Sequence, residues 1–165
     1  MKIAFILSFL FINSLSFAAI TSGDSNYTLD ASQSSASNCP VKLTISTSAQ
    51  TITTTLTHQD GLININIFNF NAPVGLIKGL AYPFGVFSYY RNYQDENGFY
   101  FQRQNCERIG VFKECGEWTN MQSYEFIDAT TIKFELRDLF YRLNSSDYPT
   151  DLGRLPLSGF CVYKI

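Results

Sequence analysis

Short runs in which large apolar residues occupy every second position dominate the sequence from Cys39 to the C-terminus. Such alternation is typical of strands with one buried face. No helical run of comparable length follows the first eighteen residues. We therefore predict an all-β domain of about eight to ten short strands. The clearest runs are Val41, Leu43 and Ile45; Ile63, Ile65 and Ile67; and Ile132, Phe134 and Leu136.

Two turns indicate that neighbouring strands are antiparallel. Asn97-Gly98 is the stronger signal, because both residues tolerate the positive φ angles of a type I′ turn and aromatic runs flank them. A turn at this pair places Tyr93 opposite Gln102. A second turn at 128–130 separates the two halves of an amphipathic hairpin, which is apolar on one face and charged on the other.

The predicted architecture is a small antiparallel β-barrel, closed or nearly closed, because closure removes the exposed strand edges that promote aggregation. A two-sheet β-sandwich is the alternative arrangement of the same strands. The four cysteines predict two disulfides. We expect Cys106–Cys115, whose short separation suits adjacent strands, and Cys39–Cys161, which would join the first strand to the last.

The first eighteen residues have the pattern of a secretion signal. Lys2 precedes an apolar run, and Ser16-Phe17-Ala18 offers small side chains for cleavage after Ala18. The run is shorter than the roughly 20 residues that a membrane span needs. We predict a secreted or periplasmic protein with no transmembrane segment after cleavage, in a compartment where the cysteines pair.

Residues 19–38 are rich in Ser, Thr, Asn and Asp and contain few large apolar side chains. A segment of this composition buries too little surface to offset the entropy of ordering. We therefore predict a flexible lead-in over 19–38, followed by a single disulfide-bonded β domain over 39–165.

Charge and residue spacing argue against several classes of function. The chain has 12 Lys and Arg residues against 14 Asp and Glu residues, so no basic surface for nucleic acid is expected. No Cys-x-x-Cys pair exists and His58 is the only histidine, so neither a metal nor a cofactor is predicted. His58 lies in a polar turn, and the carboxylate pairs Asp95/Glu96 and Glu114/Glu117 suit surface turns. We expect no catalytic residues and no enzyme.

The densest group of aromatic residues, at 84–101, is the main candidate site. Flat rings beside amide and guanidinium donors can stack on a sugar, a planar ligand or a partner side chain. An ordinary twisted hairpin, with arginines lying over tyrosines, accounts for the same residues. The candidate binding residues are Tyr89, Tyr90, Arg91, Tyr93, Tyr100, Arg103, Arg108 and Trp118.

Gly116-Glu117-Trp118 matches the Gly-x-Trp triplet found near the start of lipocalins. Here the triplet lies far from the start of the chain, so no family is assigned. We expect Trp118 to be a core or rim aromatic side chain.

These features predict a non-catalytic binding protein. In the first hypothesis, a lipocalin-like barrel carries a small hydrophobic or planar ligand. In the alternative, a protein-interaction module, such as an inhibitor of an exported hydrolase, presents the aromatic hairpin or the loop braced by Cys106 and Cys115, with Glu107, Arg108 and Phe112, as a rigid epitope. The expected lining of the carrier is Ile63, Ile65, Tyr124, Phe126 and Phe134.

Overall fold

The structure, a computed structural model, describes residues 23–72, 75–77, 84–137 and 159–165. Within these ranges the chain is all-β and contains no helix, as predicted. The predicted signal at 1–18 lies outside the described residues. The ten strands are β1 (Gly23–Leu29), β2 (Lys42–Thr47), β3 (Thr51–Thr57), β4 (Ile63–Asn69), β5 (Gly75–Ile77), β6 (Phe84–Asp95), β7 (Gly98–Ile109), β8 (Phe112–Asp128), β9 (Thr131–Leu136) and β10 (Phe160–Lys164).

All ten strands belong to one antiparallel sheet in the order β4-β3-β2-β1-β10-β9-β8-β7-β6-β5. The C-terminal strand β10 lies between β1 and β9, so the two ends of the described chain are neighbours. The strands at the two ends of the sheet, β4 and β5, are consecutive in the chain. Asn92 Nδ2, on β6 next to β5, donates to Asn69 O on β4 at 3.1 Å. The sheet therefore curls into the nearly closed barrel that was predicted.

Aromatic side chains fill the interior and join opposite walls of the barrel. The ring of Phe68 on β4 lies 5.1 Å from that of Phe99 on β7 and 5.7 Å from that of Tyr124 on β8. Tyr124 also stacks on Phe99 at 4.7 Å and contacts Phe134 of β9 at 4.9 Å. All four rings are buried, and burial of each side chain stabilises the fold by roughly 1.5–3 kcal/mol.

The orientation of β4 differs from the prediction. Ile63, Ile65 and Ile67 point outward, with exposed fractions of 55%, 52% and 66%, whereas Asn64 and Phe68 are buried. The apolar set changes face within this strand, so one of the two sets must be exposed. The large ring of Phe68 gains more from burial, and Asn64 is accepted inside because its Oδ1 lies 2.7 Å from His58 Nε2. The prediction that Ile63 and Ile65 line the interior is wrong.

The hairpin that was predicted around the turn at 128–130 is confirmed and consists of β8 and β9. Tyr124 pairs with Phe134 and Phe126 with Ile132 across a turn at 129–130. The side chains of Ile132, Phe134 and Leu136 are buried, while those between them point outward. Period-two alternation therefore located both strands and the buried face correctly.

A polar network is enclosed in the apolar interior around the hydroxyl of Tyr124. This oxygen lies 3.0 Å from Thr54 Oγ1 and accepts a hydrogen bond from Gln122 Nε2 at 3.0 Å. Elsewhere in the core, the hydroxyl of Tyr163 donates to Pro40 O at 3.0 Å. Burial raises the pKa of both tyrosines above the ordinary value, because it disfavours the charged phenolate.

We expect the free energy of unfolding to fall as the pH rises above about 10. The unfolded chain releases its tyrosine protons near that pH, whereas the native state retains them, so the unfolded state is increasingly favoured. Urea unfolding at about pH 9 and about pH 11 measures the loss. Tyr163→Phe should reduce this pH dependence, because it removes one of the buried hydroxyl groups. Equal free energies of unfolding at both pH values would contradict a raised pKa of the buried tyrosines.

The serine-rich segment at 23–38 forms part of the barrel. Residues 23–29 are strand β1, which pairs with β2 along its length, and Tyr27 is buried in the core. Between β1 and β10 only two residue pairs form, Thr28 with Lys164 and Leu29 with Tyr163. The prediction of a flexible lead-in is therefore wrong for residues 23–38, and the sheet begins before position 39.

Serine hydroxyls continue the pairing with β10 where β1 ends. Val162 N donates to Ser34 Oγ and Phe160 N donates to Ser35 Oγ, each at 2.9 Å. Side-chain oxygens thus satisfy main-chain donors that a neighbouring strand would otherwise satisfy. At the start of this turn, the carboxylate of Asp30 binds Lys164 Nζ at 2.8 Å. Hydrogen bonds from Lys164 and Ser32 lower the pKa of Asp30 to about 2.

Both predicted disulfides are confirmed. Cys39–Cys161 links the segment before β2 to β10 and so crosslinks the junction between β1 and β10. Cys106–Cys115 links β7 to β8 within the β7–β8 hairpin. Two disulfides fit an oxidising extracellular or periplasmic compartment.

Candidate functional site

Three strands of the sheet are much longer than the rest. β6, β7 and β8 contain 12, 12 and 17 residues. β9 pairs with β8 only between Gln122 and Asp128, so residues 112–120 of β8 run on past β9. At about 3.4 Å per residue they extend for roughly 30 Å. We call residues 85–92 and 102–120 the ribbon.

The hairpin between β6 and β7 has a different register from the predicted one. Its turn is Glu96-Asn97, and Asp95 pairs with Gly98, which places Tyr93 opposite Tyr100. Asp95 Oδ1 accepts hydrogen bonds from Asn97 N at 2.8 Å and from Gly98 N at 3.1 Å. An aspartate that binds the backbone two residues on stabilises this turn over the Asn97-Gly98 turn that we predicted.

The observed register differs from the predicted one by two residues. An even shift leaves each side chain on the face of the hairpin that the predicted pairing implies. One face, which we call the outer face, continues the outer surface of the barrel. The inner face carries Tyr90 and Arg103 and continues into the core at Phe99. The candidate residues on the outer face are Tyr89, Arg91, Tyr93, Tyr100, Arg108 and Trp118.

Cations of the chain itself lie over the outer-face rings. The guanidinium of Arg91 is 4.2 Å from the centroid of the Trp118 ring and 4.8 Å from that of Tyr93. Its Nε also donates to Gln102 Oε1 at 2.8 Å. Lys113 Nζ lies 4.4 Å from the Tyr89 ring centroid and donates to the Tyr89 hydroxyl at 3.0 Å. Such contacts contribute roughly 0.5–1 kcal/mol each when exposed, so they stabilise the ribbon and occupy ring surface that a ligand would need.

The remaining aromatic candidates also make internal contacts. Tyr90 stacks on Phe101 on the inner face, with ring centroids 5.6 Å apart. Tyr100 is buried, and its hydroxyl donates to Asp95 Oδ1 at 3.4 Å. Burial, together with the charge of Asp95, raises the pKa of Tyr100. The eight candidates therefore do not form one open binding surface.

The most exposed apolar side chains of the ribbon lie at its end, in the turn between β7 and β8. Ile109, Val111 and Phe112 are 59%, 89% and 78% exposed. Gly110 makes the turn with a φ of +62°, an angle that glycine adopts without strain. We call residues 109–112 the tip. Phe112 was expected in a braced loop, whereas Ile109 and Val111 were not identified, because apolar residues at this spacing also fit a half-buried strand.

Like charges face each other on the two residue pairs next to the tip. Arg108 pairs with Lys113 on the outer face, and Glu107 pairs with Glu114 on the inner face. Like charges directly opposite each other destabilise a ladder. Three residues before the turn, Cys106 is bonded to Cys115, which holds the two strands together despite this repulsion. The tip is therefore an apolar end with a rim of both charge signs.

Two of the residues considered for catalysis, His58 and Asp95, make polar contacts within the fold. His58 lies 2.7 Å from the amide oxygen of Asn64, and Asp95 caps a turn. Glu114 and Glu117 are exposed. Across the described ranges, no group of three or more His, Cys, Asp or Glu residues could hold a metal ion. The same ranges contain no helix of a length and hydropathy that could cross a membrane.

Comparison with family models, with curated proteins and with solved structures finds no significant match to this chain. The nearly closed barrel and its two disulfides fit a small binding or interaction protein.

Two of the side chains expected to line a ligand cavity belong to the hydrophobic core. Tyr124 and Phe134 are 0% exposed and contact each other. These two rings therefore pack against protein atoms. Of the other residues expected to line the cavity, Phe126 is partly buried and packs against the core, whereas Ile63 and Ile65 point outward.

Proposed function

We propose that this protein is a protein-interaction module that inserts the tip of its β7–β8 hairpin into an apolar pocket of an exported partner. The observation that carries the proposal is the exposure of Ile109, Val111 and Phe112, at 59–89%, on the end of a disulfide-braced hairpin. Large apolar side chains that cluster in an exposed position mark interaction sites.

The bracing suits this role because it lowers the entropy lost on binding. Cys106–Cys115 connects the two strands close to the turn. β6 supports the same hairpin through pairing that extends to Ile109. A loop that already has its bound conformation loses little freedom when it meets a partner.

The charges around the tip favour a protein over a lipid surface. Arg108 and Lys113 lie on one side of the hairpin, and Glu107 and Glu114 on the other. An apolar centre surrounded by polar and charged groups is the usual composition of a protein interface. An anionic membrane would attract one side of this hairpin and repel the other.

We expect a photo-crosslinking residue at position 111 to capture one partner in the cells that export this protein. The same residue at position 127 serves as the matched control, because Ile127 lies on the same strand, β8, and is 56% exposed, but far from the tip. Mass spectrometry of the crosslinked products measures the difference. With the purified partner, Phe112→Ser should weaken binding at least tenfold, which corresponds to about 1.4 kcal/mol.

Three outcomes would overturn this function. The first is equal capture at positions 111 and 127, and the second is crosslinking at position 111 to lipid alone. The third is unchanged affinity of Phe112→Ser for the captured protein. Exposed side chains contribute little to folding, so Phe112→Ser should keep the melting temperature of the unmodified protein.

A further inference from the structure

A second unusual surface lies on the opposite part of the sheet, on the outer side of β3 and β4. The three exposed isoleucines of β4 pair directly with threonines of β3: Thr53 with Ile67, Thr55 with Ile65 and Thr57 with Ile63. We call these six side chains the Thr/Ile face. It contains no ribbon residue, so it is independent of the tip.

The Thr/Ile face has no charge, in contrast to the outward side of β9. Neither β3 nor β4 contains a charged residue. On β9, the outward side chains are Lys133, which binds Glu125 at 2.6 Å, and Glu135, which binds Arg137 at 2.9 Å. β4 is also the last strand of the sheet. Natural end strands usually carry charges or proline that prevent association, and β4 has neither.

The uncharged surface continues onto β2, where Thr44 pairs with Thr55 and Ser46 with Thr53, and it ends at Lys42, which pairs with Thr57. Four strands of about seven residues, spaced by about 4.8 Å, span a flat area of roughly 450 Å² before the relief of the side chains is counted. A standard interface buries about 800 Å² on each partner. β1–β4 therefore offer somewhat more than half of a standard interface, with the charged residues Asp24 and Lys42 at the margin, and this area fits a weak, reversible dimer.

We propose that the Thr/Ile face binds the same face of a second copy of this chain across a twofold axis. A surface without charge cannot select a charged partner, and it meets no repulsion from an identical one. Interfaces between identical subunits are also the most apolar class. Isoleucine and the methyl groups of threonine supply apolar contact, and the threonine hydroxyls can bind one another across the interface.

Sedimentation velocity on the full disulfide-bonded protein, from about 1 µM to about 200 µM, tests this interface. The protein should change from monomer to dimer over this range. Ile65→Lys should reduce the dimer at the highest concentration at least tenfold, because it places two lysines near the axis without counter-charges. Ile127→Lys, at an exposed position on β8, should leave the dimer unchanged.

Thr55→Lys provides a second variant in case Ile65→Lys does not fold, which circular dichroism would show. Thr55 pairs with Ile65 and points outward, so its replacement should also remove the dimer. A monomer at every concentration of the unmodified protein would overturn the proposal. A dimer that persists in folded Ile65→Lys or Thr55→Lys, or one that Ile127→Lys removes, would overturn it as well.

Discussion

The double variant Cys39→Ala/Cys161→Ala should lose about 5 kcal/mol of unfolding free energy. The bond connects residues 122 positions apart, and in the chain-entropy model a loop of that length restricts the unfolded state strongly. Domains are stable by only about 5–15 kcal/mol. The loss therefore removes a third or more of the total stability, and urea unfolding at neutral pH measures it.

The second disulfide provides a matched control. Cys106 and Cys115 are 9 positions apart, and the same model gives a loss of only about 2.5 kcal/mol for Cys106→Ala/Cys115→Ala. Cys161 and Cys106 are both buried, so each double variant removes one fully buried sulfur atom and disturbs the packing to a similar extent. Equal losses would show that local packing, and not loop length, sets the contribution of these bonds.

Removal of Cys39–Cys161 should also have a local effect. β1 and β10 share only two residue pairs, so this junction is the weakest joint in the described sheet. Amide hydrogen exchange should increase at Phe160 N and Val162 N, which bind serine hydroxyls beside the disulfide. Amides of the β8–β9 hairpin, which pairs over six positions, should exchange much less rapidly.

Gly98→Ala should destabilise the protein by about 3 kcal/mol or more. A Cβ atom at Gly98 would lie 2.1 Å from Tyr124 O and 3.0 Å from the Tyr124 carbonyl carbon. Both are main-chain atoms of β8, so the clash is relieved only if β7 and β8 separate. The separation would also disturb the stacking of Phe99 on Tyr124 at 4.7 Å. Urea unfolding at neutral pH measures the loss.

Gly116→Ala is the control for this substitution. Its Cβ would meet nothing closer than Asn105 O, at 3.8 Å, which is ordinary van der Waals contact. Alanine at a strand position should change stability by less than about 0.5 kcal/mol, or increase it slightly. If both variants melted at the same temperature, the close approach of Gly98 to β8 would be incorrect.

The close approach of Gly98 to β8 also explains why the hairpin register was mispredicted. Asn97-Gly98 has the composition of a two-residue turn, and glycine was interpreted as a turn residue. In the structure, Gly98 is required by the neighbouring strand β8, and the turn depends on Asp95. Contact with a strand that is distant in sequence is not visible from local composition.

β4 illustrates a second limit of the sequence. Alternation identifies the strand but does not state which side faces the core. β4 has three isoleucines on one side and Phe68 on the other, so each side is apolar enough to be the buried one. Contacts with β7 and β8 across the barrel decide which side is buried, because Phe99 and Tyr124 form an aromatic pocket for Phe68.

The residues of the candidate site were predicted in part. The predicted pairing places Tyr89, Arg91 and Tyr93 on one face of the hairpin, and the structure does the same, because an even shift in register keeps side chains on their faces. The sequence did not show whether a ligand could reach the aromatic rings. In the structure, Arg91 and Lys113 cover rings through contacts between strands. The exposed tip was only partly recognised, because exposure depends on where neighbouring strands end.

Apolar alternation, together with the number and spacing of the cysteines, was sufficient to predict an all-β chain, the β8–β9 hairpin and the two disulfides. The tertiary structure decided the remaining features: which side of β4 is buried, that 23–38 completes the sheet beside β10, and that an apolar tip extends past β9. The physical reason is that strand faces and edges gain or lose free energy only against their neighbours. In an antiparallel barrel those neighbours are often distant in sequence.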